Sequence, residues 1–208
     1  MACTDEGLVE TSAPRSRDDQ AQAVPALVVF DLDACLWEPE MFQLPCKPSG
    51  GYNAKRGGVA AGDDTVRLFP GAAAVLRRFL PGSPLRAAGM KVGVASSTTE
   101  PTYARVCLES LRVDPDRSET VADLVEYRQI YPGSKGRQHF PALQAETKVP
   151  YERMMFFDDC TYGDNCRDVA TQCPGVACVR TPDGLTEALF DAGLEAFAQG
   201  ERGILLGA

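Results

Sequence analysis

The sequence predicts a three-layer α/β fold, in which helices cover both faces of a doubly wound, mostly parallel sheet. Along the 208 residues, short apolar runs without helical periodicity alternate with amphipathic segments, which is typical of strand–helix units. Two of these runs, residues 27–30 and 154–157, lead directly into closely spaced acids. Because right-handed crossovers bring the carboxyl ends of parallel strands to one edge, these acids are expected to meet there.

The predicted elements follow from apolar periodicity and from the turn residues that separate them. The β-branched run that starts at Leu27 indicates a strand buried on both faces; it is expected to include Asp31 and to leave Asp33 just past its end. The Gly- and Pro-rich segment 38–64 predicts a lid, closed by a hairpin strand at 65–69. The elements predicted after it are a helix from Pro70, strands at 91–95, 124–131, 154–159 and 176–179, and helices at 101–111, 136–147, 165–173 and 185–197.

The domain organisation is predicted to be simple. Residues 1–24 are polar and rich in acids, which indicates a disordered tail, and residues 201–208 are expected to form a second tail. A single domain then occupies residues 25–200 and carries a flap or lid insert at 38–68. This insert is too short to form a folded cap domain.

Composition excludes several classes of protein. A formal net charge of −8 disfavours a nucleic-acid surface, and no apolar run is long enough to span a membrane or act as a signal segment. The expectation is therefore a cytoplasmic monomer. The eight cysteines are scattered without C-x-x-C pairs, so free thiols are favoured over disulfides or zinc. The single His139 is expected to be a helix-surface or part-buried residue, which leaves acid–base chemistry to carboxylates, lysine or a metal.

Six polar side chains follow the predicted strands and are expected to converge. They are Asp31, Asp33, Ser96, Lys135, Asp158 and Asp159. Clustered carboxylates repel unless a cation lies between them, and oxygen ligands with open positions suit Mg²⁺ better than zinc or calcium. Ser96 and Lys135 then need a negative partner, and an incoming phosphoryl dianion would supply it. The sequence therefore predicts magnesium-dependent phosphoryl chemistry.

The same residues resemble the four motifs of the haloacid dehalogenase (HAD) superfamily. The resemblance is specific for its magnesium-dependent phosphatase 1 family and rests on the stretches FDLD at 30–33, AS at 95–96, IYPGSK at 130–135 and FFDD at 156–159. It covers about residues 26–199. It implies a HAD-like sheet with a small β-flap and minimal cap, and hydrolysis of a phosphorylated small molecule or a phosphoprotein, such as a sugar phosphate or a phosphotyrosine-like side chain.

The resemblance also implies a role for each site residue. Asp31 would form an aspartyl-phosphate, and Asp33 would protonate the leaving oxygen and then activate water. Leu32, Ser96, Ser97, Lys135 and Asp33 would surround the phosphoryl group. Asp31, Asp33 through its carbonyl, and the pair Asp158 and Asp159 would hold Mg²⁺, with Asp159 favoured for direct ligation.

Three positions depart from the family pattern. Cys35 stands where Thr or Val is usual, Ser97 stands where Arg is usual, and the turn at 160–165 is longer, so that Asp164 could approach the metal. The alternatives kept open are a HAD phosphotransferase or phosphomutase and a non-catalytic relative that binds metal or partner proteins. A dehalogenase is disfavoured because it has no use for the leaving-group acid Asp33.

Overall fold

A computed structural model describes residues 24–206 of the chain. The central sheet has six strands: β1 (Leu27–Phe30), β6 (Lys91–Ser96), β7 (Tyr127–Ile130), β8 (Met154–Asp158), β9 (Ala177–Arg180) and β10 (Gly203–Leu206). They lie in the order β10-β9-β8-β1-β6-β7, and each neighbouring pair is parallel. The predicted doubly wound sheet is confirmed, and the N-terminal tail, apart from Val24, lies outside the described residues.

Helices cover both faces of this sheet. They are α1 (Pro70–Arg77), α2 (Pro84–Ala87), α3 (Pro101–Ser110), α4 (Val121–Leu124), α5 (Phe140–Thr147), α6 (Asn165–Gln172) and α7 (Glu187–Ala198), and a π-helix at Lys135–His139 precedes α5. Apolar residues of α1, α3 and α7 pack in the core on one face, and those of α5 and α6 pack in the core on the other. Because β1 is buried on both faces, it lies at the centre of the three layers.

The insert after β1 folds into a small antiparallel sheet. Its strands are β2 (Trp37–Glu38), β3 (Ser49–Asn53), β4 (Gly58–Ala61) and β5 (Asp64–Leu68), in the order β2-β5-β4-β3. A 3₁₀ turn at Met41–Gln43 lies between β2 and β3. The insert is therefore an ordered flap, and it begins only a few residues beyond Asp33.

The structure differs from the sequence-based expectations in three places. Strand β1 ends at Phe30, so Asp31 lies just beyond it. The strand predicted at 124–131 is shorter: β7 begins only at Tyr127, because Thr120 and Asp123 form a capping box that starts the helical turn α4, which ends at Leu124. Residues 203–206, expected to belong to a tail, form β10 beside β9. Within residues 24–206, no helix is both long and apolar enough to cross a membrane.

Candidate active site

Three carboxylates meet at the carboxyl edge of the central sheet. Asp31 directly follows β1, Asp158 is the last residue of β8, and Asp159 comes next. These strands pair in register, with Phe30 opposite Phe157, so the residues that follow them are neighbours. One oxygen of each acid lies within 4.8 Å of one oxygen of the other two. Among residues 24–206 this is the one acid, His or Cys cluster that could hold a metal ion.

Lys135 joins two of these acids. Its Nζ lies 2.6 Å from Asp31 Oδ1 and 2.5 Å from Asp158 Oδ2, and the side chain is buried. Burial alone would lower the pKa of Lys135, but the charges of Asp158 and Asp31 outweigh it and raise that pKa above the ordinary lysine value. Lys135 is therefore a fixed cation that compensates part of the negative charge.

The loop that carries Lys135 is held by α6. The carboxylate of Asp168 accepts hydrogen bonds from Ser134 Oγ (2.7 Å) and from the backbone N–H of Gly136 (2.9 Å). These two donors flank Lys135 in the chain. Asp168 therefore fixes the backbone from which the Lys135 side chain reaches the acids.

Lys135 alone does not balance the three carboxylates of this cluster. Burial raises the pKa of the Asp31 carboxyl well above its usual range; Lys135 opposes this shift and the negative charge of Asp158 adds to it. Carboxylate oxygens in a small, partly open cluster are the donors that Mg²⁺ prefers. The residues present therefore fit a magnesium ion.

The two adjacent acids of β8 differ in their hydrogen bonds. Asp158 accepts from Lys135, from the Cys160 N–H (2.8 Å) and from Asn165 Nδ2, which lies 3.1 and 3.2 Å from its two oxygens. Asp159 accepts at Oδ2 from the Thr161 N–H (2.9 Å). Donors thus surround both oxygens of Asp158.

Asp33 lies beside this cluster and faces the cleft. The turn after it includes Ala34 at φ 57°, a left-handed conformation that reverses the chain. The indole Nε1 of Trp37 donates to Asp33 Oδ1 at 2.7 Å. Burial raises the pKa of Asp33, whereas the bonds from Trp37, the Met41 backbone and Thr98 oppose the rise. The carboxyl is therefore held in place and protonated more readily than a free Asp.

The hydroxyl residues after β6 lie on one wall of the cleft. Ser96 is buried, and its Oγ accepts from the Thr98 N–H at 3.4 Å. Ser97 donates its hydroxyl to the Gly133 carbonyl oxygen at 2.8 Å, on the loop before Lys135. Leu32 is fully buried and is not among the residues that line the cleft.

The site lies at the base of a cleft of about 580 Å³. Its lining includes Asp31, Asp33, Ser96, Ser97, Lys135 and Asp159, together with Glu40, Phe42 and Tyr162. The structure thus brings together the residues that the sequence placed at the strand ends. Asp164 is elsewhere: it pairs with Arg180 at 2.8 Å and caps α6 at the Arg167 N–H.

Some residues of the site were not found from the sequence. They are Trp37 and Asn165, which donate hydrogen bonds to Asp33 and Asp158, and Asp168, which accepts one from Ser134 next to Lys135. Only their proximity in sequence to a motif could have indicated them. His139 is fully buried, so the expectation of a helix-surface or part-buried residue was wrong. Its ring nitrogens lie 3.0–3.2 Å from backbone carbonyl oxygens of Ser96, Tyr131 and Ser134, and His139 is the last residue of the π-helix.

Sequence comparison identifies relatives that cover most of the chain. A family model described as acid phosphatase matches residues 23–200. Magnesium-dependent phosphatase 1 of Homo sapiens is 34% identical over 188 residues, which are 88% of this chain and 92% of that protein. The chain therefore belongs to the phosphatase family that this model describes and that includes magnesium-dependent phosphatase 1. A HAD-like hydrolase superfamily protein of Schizosaccharomyces pombe is 31% identical over 143 residues, covering 65% of this chain and 76% of that protein.

Solved structures agree with this assignment at the level of the fold. The N-terminal phosphatase part of a Bacteroides fragilis protein, complexed with Mg, has a TM-score of 0.50 at 15% identity and covers 86% of this chain and 39% of that one. A HAD-superfamily hydrolase from Ehrlichia chaffeensis has a TM-score of 0.51 at 10% identity and covers 85% and 97%. The chain is a magnesium-dependent phosphatase of the HAD superfamily, as the sequence motifs predicted.

Proposed function

We propose that this phosphatase hydrolyses phosphomonoesters through an aspartyl-phosphate on Asp31. The observation that carries the proposal is the position of the Asp31 carboxylate, which lines an open cleft, lies 2.6 Å from the Lys135 ammonium and has an oxygen within 4.8 Å of an oxygen of each of the other two acids. A phosphoryl dianion can reach the Asp31 carboxylate in this position while the carboxylate keeps its contact with the Lys135 ammonium.

The proposed metal site consists of Asp31, Asp159 and the backbone carbonyl of Asp33, with Asp158 adjoining it. Direct ligation by Asp159 is supported by the donors that already surround both oxygens of Asp158. When bound, Mg²⁺ would neutralise carboxylates and stabilise charge on the phosphoryl oxygens.

In the first step, an Asp31 oxygen bonds to phosphorus and the ester P–O bond breaks. Asp33 gives its proton to the leaving oxygen, which its burial-raised pKa favours. Lys135 holds the Asp31 carboxylate and a phosphoryl oxygen together. The Ser96 hydroxyl and the backbone amides of Leu32 and Ser97 donate to the other phosphoryl oxygens.

In the second step, Asp33 takes a proton from water, and the water oxygen attacks phosphorus. The bond between phosphorus and the Asp31 oxygen breaks, which releases inorganic phosphate and restores the carboxylate. A carboxyl that is close to both the leaving oxygen and the incoming water can serve in both steps, and Asp33 lines the same cleft as Asp31.

The assignment of the nucleophile is tested by turnover of p-nitrophenyl phosphate with Mg²⁺. Asp31→Asn should remove essentially all activity, whereas Asp116→Asn, a substitution of an exposed acid far along the chain, should leave activity unchanged. Turnover by Asp31→Asn equal to that of the wild-type protein would exclude Asp31 as nucleophile. Absence of wild-type turnover would instead favour a non-catalytic relative.

The substrate is proposed to be a phosphoprotein with a phosphotyrosine-like side chain or a small sugar phosphate. The cleft is open to solvent, which supports both classes. The monomeric state and the cytoplasmic location stay predictions from the sequence. A panel of phosphopeptides and phosphorylated metabolites, assayed by phosphate release, distinguishes the two substrate classes.

A further inference from the structure

The mouth of the cleft is formed by three residues from two separate segments. Glu40 and Phe42 belong to the flap segment before β3, and Tyr162 belongs to the loop after Asp159. The Tyr162 hydroxyl donates to Glu40 Oε1 at 3.2 Å, and the rings of Phe42 and Tyr162 meet edge to face at 5.8 Å. The flap and the loop of the metal-binding acids are thus joined directly at the entrance.

Both aromatic rings at this mouth are unusually exposed. Phe42 is 54% exposed and Tyr162 is 71% exposed, and they are two of the three large exposed hydrophobic residues in the part of the chain that the structure describes. Apolar side chains that face solvent at the mouth of a cleft commonly contact a ligand. Both rings line the same cleft as Asp31, so a leaving group attached to a phosphoryl group at Asp31 can reach them.

The charges along the cleft are almost all negative. Among the residues that line it, Lys135 is the one cation, and its ammonium is already shared by Asp31 and Asp158. Glu40 adds a carboxylate at the mouth, where Gln43 Nε2 also donates to its Oε1 at 3.2 Å. Burial and then the nearby negative charges of Asp33 and Asp159 raise the pKa of Glu40, although the Tyr162 bond opposes this. The mouth therefore offers no positive partner for a second anionic group.

We propose that Glu40, Phe42 and Tyr162 form a leaving-group subsite, and that Glu40 excludes phosphomonoesters whose leaving group carries a carboxylate. This inference rests on the proposed function and narrows its substrate class to esters with an uncharged leaving group. The rings of Phe42 and Tyr162 contact the leaving group, whereas Glu40 opposes a second negative charge placed beside it. A specificity of this kind arises from repulsion of the wrong substrate.

The test compares two aryl esters that differ mainly in charge, p-carbamoylphenyl phosphate and p-carboxyphenyl phosphate, with Mg²⁺ present. The wild-type protein should prefer the uncharged ester in kcat/KM by about tenfold or more, and Glu40→Gln should reduce that preference to about twofold. Glu40→Lys should bring the preference below that of Glu40→Gln. Comparing preferences between variants cancels the different intrinsic reactivity of the two esters.

Two further variants separate charge from contact. Glu38→Gln, which neutralises an exposed flap acid outside the cleft lining, should keep the wild-type preference. Phe42→Ala should raise KM for both esters and leave the preference unchanged. An unchanged preference in Glu40→Gln, or an equal change in Glu38→Gln, overturns the inference while hydrolysis of the uncharged ester still supports the proposed function. Hydrolysis of p-nitrophenyl phosphate but of neither ester overturns the inference alone, whereas hydrolysis of none of the three means that the proposed function fails and the inference fails with it.

Discussion

Replacing Lys135 by Met should destabilise the protein strongly and also abolish turnover. The Lys135 ammonium lies 2.6 Å from Asp31 and 2.5 Å from Asp158, and at an effective dielectric constant near 20 each attraction is worth about 6 kcal/mol. The desolvation cost of burying three charges offsets much of this. Breaking a buried pair by removing one partner costs about 3–5 kcal/mol, because the remaining charges are left uncompensated. Met replaces most of the aliphatic chain of lysine, so the loss of the charge dominates, including the loss of the ammonium that lies 5.5 Å from the centre of the Phe156 ring.

The prediction is measured by urea unfolding of the wild-type protein and Lys135→Met at neutral pH in the presence of a chelator. Lys55→Met, which removes an exposed lysine of the flap, is the matched control and should change the free energy of unfolding by less than about 0.5 kcal/mol. Added Mg²⁺ should stabilise Lys135→Met more than the wild-type protein, since the ammonium no longer repels the ion. A loss below about 1 kcal/mol would refute the reasoning, because pairs worth so little behave as solvent-exposed ones.

Three other substitutions test groups that support the site. Asn165→Ala removes two hydrogen bonds to Asp158 and should weaken Mg²⁺ binding by about tenfold in titration calorimetry; unchanged affinity would contradict a role in orienting that acid. Asp168→Ala releases Ser134 and should lower kcat by about tenfold or more. An unchanged kcat in steady-state assays would show that residues 134–136 keep their conformation without Asp168. Burial lowers the pKa of His139, so its contribution to stability is complete above pH 6.5 and is lost as the pH falls through its folded-state value. Below pH 6.5, the free energy of unfolding of the wild-type protein should therefore fall relative to that of His139→Gln by up to about 1.4 kcal/mol per pH unit, as measured by denaturant unfolding. A relative rise would mean that the surrounding carbonyls stabilise the imidazolium.

The sequence was sufficient for five of the six strands of the central sheet and for the residues at its carboxyl edge. Strands β1 and β8 are short apolar runs buried on both faces, so their composition reveals them without knowledge of the fold. Parallel pairing then requires the residues after them to be neighbours, which is why Asp31 and Asp159 could be placed together in advance. The local sequence pattern and the parallel strand pairing therefore predict the same site.

The features that could not be predicted depend on contacts distant in sequence. Strand β10 has only three clearly apolar residues and forms because the edge of β9 is available to pair with them. His139 occupies one turn of π-helix, a conformation without a distinct sequence signal, and so the side chain faces inward against an expected surface pattern. The Phe42–Tyr162 contact joins residues 120 positions apart in the chain, and no periodicity links two such segments.

The central claim is that Asp31 carries the phosphoryl group during turnover. It is tested most directly by acid-quenching the protein within the first turnover of p-nitrophenyl phosphate and Mg²⁺, followed by mass spectrometry of its peptides. We expect the peptide that contains Asp31 to gain the mass of one phosphoryl group, and we expect Asp33→Asn to accumulate more of this species because its hydrolysis is slowed. Turnover without a modified peptide, or a phosphoryl group on a residue other than Asp31, would contradict the account.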